Sequence, residues 1–375
     1  MQENMSILDM IHERWLNGVK YIKIEDICKI TRGKVISKKT LRDTKNGKYP
    51  VYSSQTENNG ELGRLTTYDY DGEYLTWTTD GAKAGTVFYR HGKFNITNVC
   101  GLLEITSENI NIHYLYHVLK RIAPDYVSKG MGNPKLMSNV MSNIEIPVPP
   151  IEIQIEIANI LDQFEELEKE LEKELKMRID QYEYYRNMLL NFDDSVEKKK
   201  LKDISDITIG EFIRKDKQQD IGYPVYNGGI NNTWFYNDFN KNGTYILISA
   251  RGANAGYINR FQGKYWAGNS CYSISVVNQN INWKYVYYYL KKYQIDLMDN
   301  QTKGGIPSIS KKQVEEIEIP IPSIEVQKSI VKTLDQFDEL CTSLTNGIPA
   351  EIEMRKEQYE YYRNLLLNFK NINEE

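Results

Sequence analysis

Few residues of this chain stand at spacings that chemistry could use. His113 and His117 are four apart in "INIHYLYHVLK" (110–120), so on a helix both rings would face one side, as a metal pair does. No third ligand is suggested, and the matching stretch "INWKYVYYYLK" (281–291) has Lys284 and Tyr288 at those places. No metal site is expected. Asp125 and Lys129 could be drafted into a nuclease site, as could Asp/Lys pairs in many sequences. "NPKL" (133–136) shares Asn-Pro with a methylase motif but lacks its second proline and aromatic, so it reads as a loop. Cys28, Cys100, Cys271 and Cys341 lie far apart, and each reads as a small buried hydrophobe in a reducing cytoplasm. No GxxxxGK[ST] phosphate loop occurs. Catalysis and a cofactor of its own are not expected of this chain.

Recognition remains. In "TTDGAKAGTVFYRHGK" (78–93), Gly81 and Gly85 let backbone approach a surface closely, while Lys83, Arg90 and Lys93 can reach phosphates. "TVFYRHGKF" (86–94), which overlaps its end, reads as a hairpin with a glycine turn. The counterpart "SARGANAGYINRFQGK" (249–264) offers Arg251, Asn254, Arg260 and Lys264. In the major groove Arg suits guanine and Asn suits adenine. Two more polar, glycine-rich loops recur. "SSQTENNG" with "NGGINN" supplies Ser53, Ser54, Gln55 and Asn227. "SKGMGNPKLMS" with "QTKGGIPSIS" supplies Lys129, Asn133, Lys135, Lys303 and Ser308. For any one of these side chains the competing reading is an exposed loop with solubilising charge. Loops that recur at matched places with different side chains are what two readers of different sequences need.

The elements that position these loops are also written twice. "IPVPPIEIQIEIANILDQFEEL" (146–167) matches "IPIPSIEVQKSIVKTLDQFDEL" (319–340), and "QYEYYRNMLLNF" (181–192) matches "QYEYYRNLLLNF" (358–369). "YPVYSS" answers "YPVYNG" upstream, and the order of matching segments is the same throughout. This is a tandem duplication, and each half is a mixed, strand-rich part followed by a helical part. In the first copy Ile157, Leu161, Phe164, Leu171, Leu175, Tyr182, Tyr185, Leu189 and Phe192 follow alternating steps of three and four, interrupted at Glu168 and Arg178. That is a coiled-coil seam. Residues 151–192, if continuous, would extend about 63 Å at 1.5 Å per residue. The second copy is four residues longer, and Gly347 and Pro349 should kink or break it. The cheapest partner for each seam is the other copy. The expected fold is α+β: two mixed α/β domains separated by a long antiparallel two-helix coiled coil, with pseudo-two-fold internal repeat. The competing arrangement packs each helix on its own domain.

Length and charge agree. The 375 residues fit two or three domains, with 41% hydrophobic and 26% charged residues, no secretory start and no apolar run long enough for a membrane. "MQENMSILDMIHERWLNG" reads as an amphipathic N-terminal helix. The net charge of −4 conceals its distribution: residues 152–192 carry 11 acidic and 5 basic side chains, and residues 325–369 carry 8 and 5. The rest of the chain is therefore mildly basic, and DNA binding stays open as a local property.

On these residues, the two spacer copies and the half-and-half duplication, the chain resembles the specificity subunits of Type I restriction–modification systems over essentially its whole length. The resemblance implies an N-terminal helix (1–17), a target-recognition domain (18–148), a spacer helix (149–192, the central repeat), a second recognition domain (193–322) and a second spacer helix (323–370, the distal repeat). It implies that the domains read the two halves of a split site in double-stranded DNA, and that the paired helices dock two adenine methyltransferase (modification) subunits, which restriction subunits join. S-adenosylmethionine would belong to the methyltransferase partner, and ATP and Mg to the restriction partner. The repeated "QYEYYRN" is then a partner site bound twice. Tyr184, Arg186, Tyr361 and Arg363 are its candidates, while Tyr182, Tyr185, Tyr359 and Tyr362 fit the rod's own seam better. Two other classes stay open: a stand-alone bipartite DNA-binding regulator, and a nuclease or methylase in its own right.

Overall fold

The computed structural model describes residues 18–128, 132–302, 305–343 and 346–372. The helix expected over 1–17 lies outside the described residues, as do Lys129 and Lys303. The chain divides into two compact units. One runs to Leu171 and resumes from Ile352, and the other spans Glu172–Glu351.

The first unit contains β1 (Tyr21–Lys23), α1 (Ile24–Ile27), β2 (Cys28–Arg32), α2 (Lys38–Asp43), β3 (Tyr49–Tyr52), β4 (Glu61–Leu65), β5 (Tyr70–Thr78), β6 (Val87–Ile96), β7 (Cys100–Ile105), α3 (Ile112–Ile122), α4 (Ser138–Ser142) and β8 (Glu145–Pro147). Its six-stranded sheet has the order β2-β7-β5-β6-β3-β4, and β1 pairs with β8 separately. Only β3 and β6 run parallel within that sheet. Helix α5 (Ile151–Leu189) begins in this unit and ends in the other.

The second unit repeats the plan. It holds β9 (Lys198–Lys200), α6 (Leu201–Ile204), β10 (Ser205–Ile209), β11 (Tyr223–Tyr226), β12 (Trp234–Tyr236), β13 (Lys241–Ser249), β14 (Ile258–Ala267), β15 (Cys271–Val276), α7 (Trp283–Asp299), α8 (Lys311–Glu315), β16 (Glu318–Pro320) and α9 (Ile324–Thr342). The sheet order β10-β15-β13-β14-β11-β12 matches the first strand for strand, with β9 and β16 paired apart. The last helix, α10 (Ile348–Leu366), returns to the first unit. "YPVY" opens the same inner strand in both sheets, with Val51 and Val225 fully buried.

The hairpin turn differs from the sequence expectation. "TVFYRHGKF" is not a hairpin, because β6 runs straight through Gly92 from Val87 to Ile96. Gly92 takes a positive φ of 85° opposite Gly72 at 138°, so two glycines facing across the ladder bend the strands instead of reversing one. The reversal lies upstream in "DGAKAG", between β5 and β6.

Each spacer segment packs antiparallel on a segment of the other repeat within its unit. In the first, Phe164 stacks on Tyr362 at 5.4 Å and Lys356 pairs with Glu168. In the second, Tyr185 stacks on Phe337 at 5.5 Å, with Tyr182 beside it. Ile157, Leu161, Leu171 and Tyr182 of the expected seam are buried, and Leu175, Leu189 and Phe192 pack partly buried against the second core. The helix break falls where Gly347 and Pro349 put it: α9 ends at Thr342 and α10 begins at Ile348. Proline is tolerated at the second position of α10, whose N–H would lack a helical acceptor anyway. The fold is α+β, two mixed units of one topology, each carrying an antiparallel helix pair.

The four cysteines are buried and unbridged. Burial pushes the thiols of Cys28, Cys100 and Cys271 up to about 12, which makes them inert fillers.

Candidate nucleic-acid interface

Three loops converge at one end of each sheet. In the first unit the β5–β6 turn is held on both sides: Gly81 N–H donates to Pro134 O (3.0 Å), Leu136 N–H to Thr79 O (3.0 Å) and Thr79 N–H to Val99 O (3.2 Å). Asp80 and Lys135 form a lone antiparallel bridge. The loop after β3 joins through Thr97 Oγ1–H to Ser53 Oγ (3.1 Å). The second unit repeats these bonds: Gly252 N–H to Pro307 O (2.9 Å), Ile309 N–H to Ala250 O (2.9 Å), Ala250 N–H to Ser270 O (2.8 Å) and a bridge between Arg251 and Ser308. There Asn227 Oδ1 accepts from Ser270 N–H (2.9 Å). Gly81 and Gly252 take φ of 101° and 105°, the left-handed region that favours glycine, so the turn keeps one shape in both units.

Large buried side chains brace these loops from beneath. Trp77 Nε1–H donates to Leu136 O (2.9 Å), and Tyr272 O–H donates to Ile309 O (3.0 Å). Trp77 comes from β5 and Tyr272 from β15, the equivalent of β7. The bulk has changed strands while the bonded carbonyl keeps its place in the repeat.

The expected reading residues divide into three groups. Lys83, Asn133 and Lys135 are exposed on the first cluster, and Ser53 and Ser54 are half-buried there. Gln55 lies in the same loop and donates to Glu61 O. Arg251 is exposed on the second cluster, with Asn227, Asn254 and Ser308 half-buried beside it. Arg90 and Arg260 face elsewhere. Arg90 is 3% exposed, its guanidinium 3.6 Å from the Tyr52 ring and its Nε–H donating to Thr76 Oγ1 (3.1 Å). Arg260 turns toward α9 and pairs with Asp338 (2.6 Å). Lys93 and Lys264 are exposed on the long strands, Lys93 opposite Asp71 and Lys264 over Phe239.

A second repeated constellation joins each sheet unit to its helix. Gln154 Oε1 accepts from Asn111 N–H (2.9 Å), and Gln327 Oε1 accepts from Asn282 N–H (2.9 Å). Both asparagine side chains cap the next helix, α3 or α7. About two turns further along the helix, Asp162 takes His113 Nδ1 (2.7 Å) and His117 Nε2 (2.8 Å). Asp335 takes Lys284 Nζ and Tyr288 O–H, both at 2.6 Å. The histidine pair is thus a clamp on a carboxylate. Burial works against the Asp162 anion, but the two histidines outweigh it and hold its pKa below the ordinary value. His117, fully buried, also reaches Tyr359 O–H at 3.1 Å, which ties α10 to the same joint. Identity of Gln154 with Gln327 and of Asp162 with Asp335 across the repeat was the sequence signal for this joint.

On the helices, Tyr184 and Tyr361 are 65% and 64% exposed, whereas Tyr182 and Tyr359 are buried in the seams. Arg186 is buried over Tyr182, and Arg363 is half-buried over Tyr359. Among the described residues no helix is long and apolar enough to cross a membrane.

Two mixed units, each with a three-loop cluster at a sheet end and a helix clamped beneath, make a duplicated two-unit protein, and comparison with known proteins gives the family. The model of the Type I restriction modification DNA specificity domain matches residues 17–181 and again 193–354. A putative type I specificity subunit of Mycoplasma pneumoniae is 35% identical over 367 residues, covering 94% of this chain and 98% of its own. The Type I restriction enzyme MpnII specificity subunit of the same organism is 44% identical over 183 residues, 48% of this chain and 55% of its own. The crystal structure of a Type-I restriction-modification system S subunit from M. genitalium superposes with a TM-score of 0.65 at 19% identity, covering 93% of this chain and 96% of that one. This chain belongs to the Type I restriction–modification DNA specificity family.

Proposed function

We propose that this chain is the non-catalytic address subunit of a Type I restriction–modification complex, working in the cytoplasm. Each loop cluster reads one half of a bipartite duplex site. The supporting observation is one scaffold, bonded alike in both units, that displays different side chains at matched places. Lys83, Asn133, Lys135 and Ser54 serve one half-site; Arg251, Asn254 and Ser308 serve the other, with Lys129 and Lys303 as further candidates from the sequence. Phosphate contacts supply affinity and base contacts supply discrimination. Arg90 and Arg260 each brace the inside of their own unit instead.

Helices α5, α9 and α10 fix the separation of the half-sites, so that binding of the second becomes intramolecular. Tyr184 and Tyr361, exposed on equivalent turns, dock two methyltransferase subunits, and restriction subunits join that core. Adenine flipping and methyl transfer from S-adenosylmethionine belong to the methyltransferase, and ATP and Mg to the restriction subunits.

The test is to treat mixed-sequence DNA with the methyltransferase subunits, with and without this chain, and to sequence the methylated bases. Adenine methylation at a single gapped sequence, present only with the chain, is expected. Methylation indifferent to the chain would contradict the proposal and favour a regulator that acts without methyltransferase partners.

A further inference from the structure

The same three places around each β5–β6-type turn carry different charges. In the first unit they are Arg32, Asp80 and Lys135; in the second they are Ile209, Arg251 and Ser308. The equivalence rests on structure as well as sequence. Arg32 and Ile209 end matching strands β2 and β10, and Asp80 and Arg251 follow the ends of β5 and β13. The bridges Asp80–Lys135 and Arg251–Ser308 are the same contact.

The side chains are presented differently. Asp80 is anchored: Thr79 Oγ1–H donates to it at 2.7 Å, with Lys135 Nζ at 3.8 Å and Arg32 Nη2 at 3.9 Å. The two cations neutralise its repulsion from DNA without filling its hydrogen-bond sites. Arg251 is exposed, and its guanidinium has no partner among the described residues, although its backbone is pinned by the Ser308 bridge and by Gly252 N–H to Pro307 O. A fixed backbone carrying an unspent five-donor fork is pre-organised for a pair of acceptors. A carboxylate offers only acceptors and needs a donor.

Resting on the bipartite DNA-reading function proposed above, we infer that Arg251 and Asp80 are the base readers that make the two half-sites differ. Arg251 takes a guanine through its O6 and N7. Asp80 takes an exocyclic amine, the N4 of cytosine or the N6 of adenine, at the corresponding place in the other half-site. The triplets have the same net charge, so they differ in what they select more than in how strongly they attract phosphate.

The experiment selects bound sequences from a pool of randomised duplex DNA using the full-length chain, its Arg251→Ala and Arg251→Lys forms, and Asp80→Ala. The wild-type chain should enrich a gapped site with a guanine in one half. Arg251→Ala should lower preference for that guanine about ten- to hundredfold and leave the other half unchanged, and Arg251→Lys should lower it less. Asp80→Ala should relax one position in the other half only. Should Arg251→Ala weaken all sequences by one factor and reduce the salt dependence by about one phosphate, Arg251 is a backbone contact and the inference is overturned while the bipartite reading stands. If the wild-type chain enriches no gapped site, the bipartite reading itself fails.

Discussion

The indole of Trp77 occupies the space a side chain at Gly101 would need: a Cβ built there would lie 2.2 Å from the ring. The second unit solves the same packing problem with Ile248 and Tyr272 at the two equivalent places, both buried. Gly101→Ala should therefore destabilise the first unit by about 1–3 kcal/mol through overpacking. The exchange Trp77→Ile with Gly101→Tyr should recover part of that loss, because a tyrosine hydroxyl at 101 regains the Leu136 carbonyl. Thermal denaturation of both variants beside the wild-type chain measures it, and a neutral Gly101→Ala would count against the packing described.

The tyrosines of the repeated dodecamers should separate by role. Phe337→Ala removes the stacking partner of Tyr185 and should cost about 3 kcal/mol. Tyr184→Ala and Tyr361→Ala alter exposed rings and should change stability by no more than about 0.5 kcal/mol. Those two variants should instead weaken capture of the methyltransferase subunit about tenfold or more. Denaturation paired with a binding titration distinguishes the two classes. Equal loss of stability in all three would place Tyr184 and Tyr361 in the seam.

Lys291 sets a pH dependence in the second unit. Burial, with Arg186 adding like charge and Asp338 only partly opposing, pushes its ammonium down to about 8 from an ordinary 10.5. The folded state therefore gives up this proton before the unfolded chain does. Its penalty is complete below about 8 and is relieved as pH rises toward 10.5, so Lys291 makes stability increase across that window. Lys291→Met should raise stability at neutral pH and flatten the slope between pH 8 and 10.5. Chemical denaturation at pH 7 and pH 10 checks the sign. The equivalent Lys120 has Glu165 at 2.6 Å, an ion pair without counterpart at Lys291 among the described residues.

Much of this architecture was written in the repeat. Duplicated segments gave two units of one topology, Gly347 and Pro349 marked the helix break, and the step pattern put Tyr182 and Tyr359 in the seams. What escaped depended on contacts distant in sequence. His113 and His117 looked like an incomplete metal pair because their partner, Asp162, lies 45 or more residues downstream. Arg90 looked like a phosphate ligand because strand alternation does not show which face of a bent sheet other elements cover. Gly92 looked like a turn because a positive φ serves equally well for a bend within a paired strand.

Exchange of one recognition segment probes the central claim most directly. Residues 18–148 of the full chain are replaced by the corresponding segment of a specificity subunit with a known, different target. The complex with methyltransferase subunits is then assayed by sequencing the methylated adenines. One half of the gapped site should change to that of the donor while the other half and the gap stay as they were. Methylation that is unaltered, or altered in both halves at once, would contradict two units each reading its own half.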